Sequence, residues 1–258
     1  MSGPSSASLG IPGDVRSLSV VVPVRDEVDS IGPLLLELDA ALGGLGLELE
    51  WIFVDDASGD GSLERLAEWT AKDDRLRVLS LPNHGGQSAA LDAGFRAARG
   101  EVVAILDADG QNDPADIPVL LEGLHDADVV GGMRIDRRDD GMRRFSSRLA
   151  NAIRRAVLGD RVSDIGCSLR VVRARYLRRI KLYRGLHRFL PILLELEGAR
   201  IAELPVRHRS RRFGRSKYGV TNRLAPALLD LLAVAWIQRR ALPPAPREAP
   251  RARSDLRE

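Results

Sequence analysis

The segment LSVVVPV (18–24) is a short, β-branched apolar run, the pattern of a strand buried on both faces of a parallel sheet. Ile31, Leu34, Leu35, Leu38 and Leu42 then recur at helical spacing, and Gly43, Gly44 and Gly46 mark the stop. LEWIFVDD (49–56) predicts a second strand and Leu63–Trp69 a second helix. RLRVLSL (75–81), SAALDAGFRAAR (88–99) and VVAILD (102–107) continue the alternation. A helix from Pro114 and the strand DVVGGMR (128–134) follow. Strands alternating with helices predict an α/β fold, a mostly parallel sheet with helices on both faces.

The second half is less regular. Residues 143–159 predict a helix with Leu149, Ile153 and Val157 along one stripe. SLRVVR (168–173) predicts a short strand, and LHRFLPILLELEG (186–198) a helix despite its internal proline. Residues 199–211 read as an edge strand, since Pro205 withholds a ladder donor. A polar loop, RRFGRSKYG, leads to an amphipathic helix near 222–240, with Leu224, Leu228, Leu231, Leu232, Ala235 and Trp236 on its apolar side. The division expected is a flexible N-terminus (1–16), a catalytic domain (17–221), the amphipathic helix (222–240) and a disordered Pro- and Arg-rich tail (241–258).

Composition adds an asymmetry that the net charge of +3 conceals. Residues 1–133 carry 8 basic and 24 acidic side chains, while residues 134–217 carry 24 basic and 8 acidic. This suggests that each half handles charge of a different sign. The single cysteine, Cys167, excludes an internal disulfide and reads as a packing or loop residue. The start lacks the basic and apolar regions of a signal peptide, so a cytoplasmic protein is expected. The most lipid-like stretch, Leu224–Ile237, would reach roughly 21 Å, short of a ~30 Å hydrocarbon core. With Trp236 and flanking Arg223, Arg239 and Arg240, that helix suits a membrane interface or packing on the catalytic domain. Nucleic acid is not an expected partner: aromatics are only 4% and no nucleic-acid motif is recognised.

Carboxylates gather where strands end: Asp55 and Asp56 after the second, Asp107 and Asp109 after the fourth, with Glu27 just past the first. Ligands of open α/β sheets lie outside the carboxyl ends of the strands. Asp107, Asp109 and the amide of Gln111 offer hard oxygen ligands suited to Mg²⁺ or Mn²⁺, an ion that would hold a phosphate. The string DADGQNDP also resembles a dehalogenase-type phosphatase motif and a calcium loop. The former sits normally on the first strand, and the latter would need Glu where Pro118 stands. In the basic half, Arg143, Ser147 and Asn151 share one helix face, Arg134 ends a strand, and Arg207 to Lys217 form a dense basic loop, all suited to anions. The four histidines show no metal-binding spacing.

Together PVRDE (23–27), VDDAS (54–58), GGQSAAL (85–91), AILDADGQNDP (104–114) and GGMR (131–134) resemble inverting family-2 glycosyltransferases. The branch they resemble is dolichol-phosphate mannosyltransferase-like, acting on polyprenyl phosphates. SDIGCSLRVVR (163–173) and RFGRSKYG (212–219) extend the resemblance over roughly residues 17–240. It implies an A-type glycosyltransferase fold, a UDP- or GDP-sugar donor, a polyprenyl phosphate acceptor and contact with the cytoplasmic membrane face. Pro23, Val24 and Glu27 would border the nucleotide base, and Asp55 the base or ribose. Asp107, Asp109 and Gln111 would hold the metal that bridges the donor diphosphate. Arg134, Arg143 and Ser147 match acceptor-phosphate positions; Arg212, Ser216 and Lys217 match a closing loop; Asp164 falls where some relatives place an active-site acid. The chain departs from the pattern in having Asp26 for the usual Asn, and in lacking the transmembrane helices that follow the catalytic domain in many relatives. The implied reaction is a single inverting displacement at the anomeric carbon. A transferase acting on a soluble or polysaccharide hydroxyl is the alternative, with Asp164 as base. A phosphatase or an inactive nucleotide-sugar-binding protein is more distant.

Overall fold

A computed structural model describes residues 10–135, 151–210 and 224–243. The alternating half folds as its pattern predicts: β1 (Ser17–Val24), α1 (Val28–Leu42), β2 (Glu48–Asp55), α2 (Ser62–Thr70), β3 (Leu76–Ser80), α3 (Gln87–Ala97) and β4 (Val102–Ile105). A 3₁₀ turn opened by Pro114 leads into α4 (Ile117–Glu122), followed by β5 (Val129–Arg134). Residues 151–158 are helical (α5). Then come β6 (Arg170–Arg173), α6 (Ala174–Leu177), α7 (Leu190–Leu196), β7 (Ile201–Val206) and α8 (Leu224–Arg240).

Among the described residues seven strands form one sheet in the order β3-β2-β1-β4-β6-β5-β7, and only β6 runs antiparallel to its neighbours. Alternate residues of β1 face opposite sides. Leu18, Val20 and Val22 join α1 and α4 in one core, while Val21 joins α3, α6, α7 and α8 in the other. Such double-sided burial explains the unbroken apolar run of β1, since each fully buried Val or Leu contributes about 1.5–3 kcal/mol. The order reverses at β1, which has β2 on one side and β4 on the other, so a crevice opens at their carboxyl ends. Because β4 and β5 run in the same direction, Asp107 and Arg134 lie at that same edge. The first residue of β6, Arg170, stands between them, opposite Ile105 on β4 and Gly131 on β5.

Several sequence expectations change. Pro191 does not interrupt a helix but begins one, in the first turn of α7, where its missing N–H is harmless. On α5, Ile153 and Val157 are exposed, and the buried positions are Arg154 and Leu158. Arg154 is satisfied there by Asp160 at 3.0 Å and by the Val162 carbonyl. On α8 the apolar stripe splits: Leu231, Val234 and Ala235 are buried, whereas Leu228, Leu229, Leu232 and Trp236 are exposed. Residues 10–16, placed by the sequence outside the catalytic domain, pack on it, with Val15 buried and Asp14 bonded to Arg173 at 2.6 Å. The charge halves are not kept apart either. Arg173–Asp14, Arg175–Asp128 (2.5 Å), Arg207–Asp116 (2.8 Å) and Arg209–Glu37 (2.7 Å) join basic residues of the second half to acidic residues of the first. Among the described residues no helix is long and apolar enough to cross a membrane.

Candidate active site

The β1 and β2 ends are tied together by their loops. Asp26 has φ +46°, a conformation that Asp and Asn tolerate better than most residues, and its Oδ1 accepts from the Gly59 amide at 2.7 Å. An asparagine could accept there equally, but the carboxylate of Asp26 also pairs with Arg25 at 3.7 Å, which a neutral amide would not. Glu27 N donates to Ser62 Oγ at 2.9 Å, and Val28 N to Asp60. Pro23 and Val24 pair with Val54 and Asp55 in register, which brings Asp55 beside the Glu27 loop. Asp55 is fully buried; its Oδ2 accepts from Ser58 N, while Oδ1 has no hydrogen-bond partner among the described residues. A buried carboxylate oxygen without a donor is costly, and a ligand hydroxyl or N–H would satisfy it.

Asp56 has a different role, which its place at the end of a strand does not disclose. Its carboxylate accepts from Gly85 N (2.7 Å) and Gly86 N (3.0 Å) and meets His84 Nδ1 at 2.8 Å. That clamp fixes the start of α3. The next residue, Gln87, donates from Nε2 to Asp107 Oδ1 at 2.7 Å. The GGQ segment thereby aims a carboxylate at the crevice.

Asp107 and Asp109 follow β4 closely. Asp109 is buried, and its Oδ1 accepts from Gln111 N at 3.1 Å; the Gln111 side chain meets His208 Nε2 at 3.5 Å. Asn112 secures the turn, accepting from Asp107 N and from Ser168 Oγ. Among the described residues no three His, Cys, Asp or Glu side chains cluster as a complete metal cage. Two carboxylates and one amide still offer the hard oxygen donors that would suit a divalent ion. Arg207 and Arg209, expected to belong to an anion-binding loop, are instead engaged with Asp113, Asp116 and Glu37 and brace this same turn.

On the far side of β6, Arg134 and Asp164 meet in a forked ion pair. Glu203 holds the Asp164 loop by accepting from Ser163 N and Asp164 N. Cys167 is buried, and desolvation pushes its thiol above the usual range, which suits packing rather than nucleophilic chemistry. Arg143, Ser147, Arg212, Ser216 and Lys217 lie outside the described residues.

A cleft of about 770 Å³ opens between the start of α3, Asp107, the 165–168 turn and the 184–188 segment. Two of its lining residues were not found by sequence reasoning. Arg170 is buried, and desolvation holds its guanidinium below its ordinary value. His187 meets Ser88 Oγ through Nδ1 at 2.8 Å, and burial together with Arg188 and Arg170 lowers its pKa to about 4. Arg170 lies within SDIGCSLRVVR and His187 in no motif; the topology brings both to the cleft.

The model of the family described as "Glycosyl transferase family 2" matches residues 19–181. The chain belongs to that family. Among curated relatives, it is 36% identical over 234 residues to the dodecaprenyl-phosphate galacturonate synthase of Rhizobium johnstonii, covering 88% of this chain and 69% of the relative. It is 39% identical over 221 residues to the undecaprenyl-phosphate 4-deoxy-4-formamido-L-arabinose transferase of Aeromonas hydrophila, covering 85% and 68%. Among solved structures, glucosyl-3-phosphoglycerate synthase from Mycobacterium tuberculosis, in complex with Mn²⁺, UDP-glucose and phosphoglyceric acid, superposes with a TM-score of 0.68 at 20% identity. That superposition covers 92% of this chain and 86% of the other. A mannosyltransferase from Pyrobaculum calidifontis, in complex with GDP-mannose and Mn²⁺, gives a TM-score of 0.62 at 19% identity, covering 90% and 76%. The fold is that of the A-type glycosyltransferases, and family membership decides against the phosphatase and calcium-loop readings of DADGQNDP. This family-2 chain is a glycosyltransferase.

Proposed function

We propose that the chain transfers a sugar from a nucleotide-sugar donor to a polyprenyl phosphate, by one displacement with inversion at the anomeric carbon. The observation that supports this reading is the placement of Asp107, Asp109 and the fork-held Arg134 at one edge of one sheet, with the carboxylates on one side of β6 and the guanidinium on the other. The relatives named above act on prenyl phosphates by name, and they differ in the sugar.

Asp107, Asp109 and Gln111 are the residues that would hold Mg²⁺ or Mn²⁺. Such an ion neutralises charge on a leaving diphosphate. Asp55 and the Pro23–Glu27 loop take the nucleoside, with Asp55 Oδ1 as acceptor. Arg134 takes the acceptor phosphate, aided by Arg143 and Ser147, and Arg212, Ser216 and Lys217 close over the site. A phosphate monoester has a second pKa near ~6 and arrives largely ionised, so it needs positioning more than a base. Asp164 then serves to orient Arg134, because both of its carboxylate oxygens are engaged by that guanidinium.

The lipid would approach along α8. Leu229 and Asp230 of that helix line the cleft, and Leu228, Leu229, Leu232 and Trp236 leave its outer face apolar, with Arg239 and Arg240 at its end. This arrangement supports peripheral contact with an anionic membrane surface.

The test is a thermal-shift screen of nucleoside diphosphates with and without Mn²⁺, run beside Asp109→Ala. Stabilisation by UDP or GDP that needs Mn²⁺ and vanishes in the variant is expected. No shift with any nucleotide would overturn the reading.

A further inference from the structure

The sheet order puts Arg170 at the midpoint of the reaction edge. It opens β6, facing Ile105, which leads to Asp107 on one side, and Gly131, which leads to Arg134 on the other. Its side chain is only 5% exposed as a whole residue and it lines the cleft. Its one hydrogen bond among the described residues runs from Nη2 to the Cys167 carbonyl. Arg134, Arg154, Arg207 and Arg209 are each bonded to a carboxylate; among the described residues Arg170 has none. The nearest acids act on it only through space: Asp107, Asp164 and Glu203 favour its charge, and burial opposes it. A guanidinium buried with donors to spare is expensive unless an anion completes it.

A second donor stands on the same cleft. Ser88 Oγ accepts from His187 N at 3.3 Å and lies 2.8 Å from His187 Nδ1. Ser88 is buried, and its hydroxyl hydrogen has no other acceptor among the described residues, so that hydrogen goes to Nδ1. The ring proton then resides on Nε2. The neutral ring, which lines the cleft, offers an N–H without adding charge.

The geometry points to Arg170 and His187 as a phosphate-binding pair seated between the donor and acceptor sites. Arg170 supplies forked, charge-assisted hydrogen bonds and His187 a neutral one. The shared chemistry is phosphate oxygen, from the donor's diphosphate or from the acceptor's phosphate monoester. The inference rests on the function proposed above and adds two substrate-contacting residues to it.

Binding of three probes to the full chain with Mn²⁺ tests it: the nucleoside diphosphate that binds, its free nucleoside, and farnesyl phosphate. Arg170→Met is expected to weaken one phosphate ligand about 10- to 100-fold while the nucleoside changes less than about twofold. Arg170→Lys should recover part of the loss, and His187→Ala should weaken the same ligand by about threefold or more. A loss on the diphosphate puts the pair on the donor; a loss on farnesyl phosphate puts it on the acceptor. Unchanged binding of both phosphates, or an equal loss of the nucleoside, would overturn the inference, the latter because it marks a purely structural role. If Arg170→Met fails to fold by circular dichroism, Arg170→Lys and His187→Ala carry the same test, and unchanged phosphate affinity in both would overturn it. Failure of the wild type to bind any nucleoside diphosphate would instead refute the proposed function itself.

Discussion

Arg134 and Asp164, 30 residues apart, meet through two parallel contacts, Nε to Oδ2 at 2.7 Å and Nη2 to Oδ1 at 2.8 Å. Their side chains are only 15% and 8% exposed, so the fork is largely shielded from solvent. It sets the orientation of the one cation that the described residues place at the end of β5.

Asp164→Asn should therefore release Arg134 rather than remove a base. Breaking so buried a pair costs about 3 kcal/mol of stability. Acceptor KM should rise, with the pH dependence of kcat unchanged in shape. A base acting on a hydroxyl acceptor would instead lose about 10²–10⁴ in kcat and the acidic limb of the profile. Steady-state kinetics across pH separate the two outcomes.

The two glycines of GGMR differ. A Cβ on Gly132 would stand 2.6 Å from Val206 Cγ2 and 3.1 Å from Cys167 Sγ, whereas one on Gly131 meets nothing closer than 3.9 Å. Gly132→Ala should lose about 1–3 kcal/mol by overpacking. Gly131→Ala should change stability by less than about 0.5 kcal/mol. Chemical denaturation of both variants checks the contrast, and equal effects would contradict it.

The same pair of glycines shows how far the sequence could be read. Hydrophobic period placed every strand of the sheet, because double-sided burial writes itself as an apolar run, and the motif string placed Asp55, Asp107, Asp109 and Arg134 at one edge. What stayed hidden depends on three-dimensional partners. Ile153 and Val157 look like a core stripe, yet α5 buries Arg154, since Asp160 and the Val162 carbonyl satisfy it. Arg207 and Arg209 look like free cations until β7 brings them onto Asp113 and Asp116. Arg170 sits inside SDIGCSLRVVR, but nothing in that segment shows that an antiparallel strand inserted into a parallel sheet brings it to the cleft, and His187 belongs to no motif.

His187 gives a pH prediction. Its pKa in the folded protein, about 4, lies below the ordinary 6.5, so between those values the unfolded chain takes up a proton that the folded chain refuses. The contribution of the neutral ring is complete above about pH 6.5 and is lost as pH falls towards 4. It amounts to at most about 3 kcal/mol, less where solvent screens the ring. The Tm difference between wild type and His187→Ala should shrink as pH falls from 7 to 4.5. Parallel Tm–pH curves would count against this assignment.

The exposed face of α8 predicts attachment to lipid. Replacing Leu229 and Leu232, which are 67% and 54% exposed, by Glu should leave Tm nearly unchanged and reduce co-sedimentation with vesicles containing anionic lipid. Equal sedimentation of variant and wild type would place the membrane contact elsewhere.

The most direct measurement is transfer itself. Nucleotide-sugar donors labelled in the sugar should be incubated with Mn²⁺ and undecaprenyl phosphate in detergent, and the label followed between organic and aqueous phases. For one donor, label should enter the organic phase as a glycosyl phosphate of inverted anomeric configuration, only when the lipid phosphate is present. Label that stays in water on a hydroxyl acceptor, or a product that retains the donor's configuration, would contradict the account.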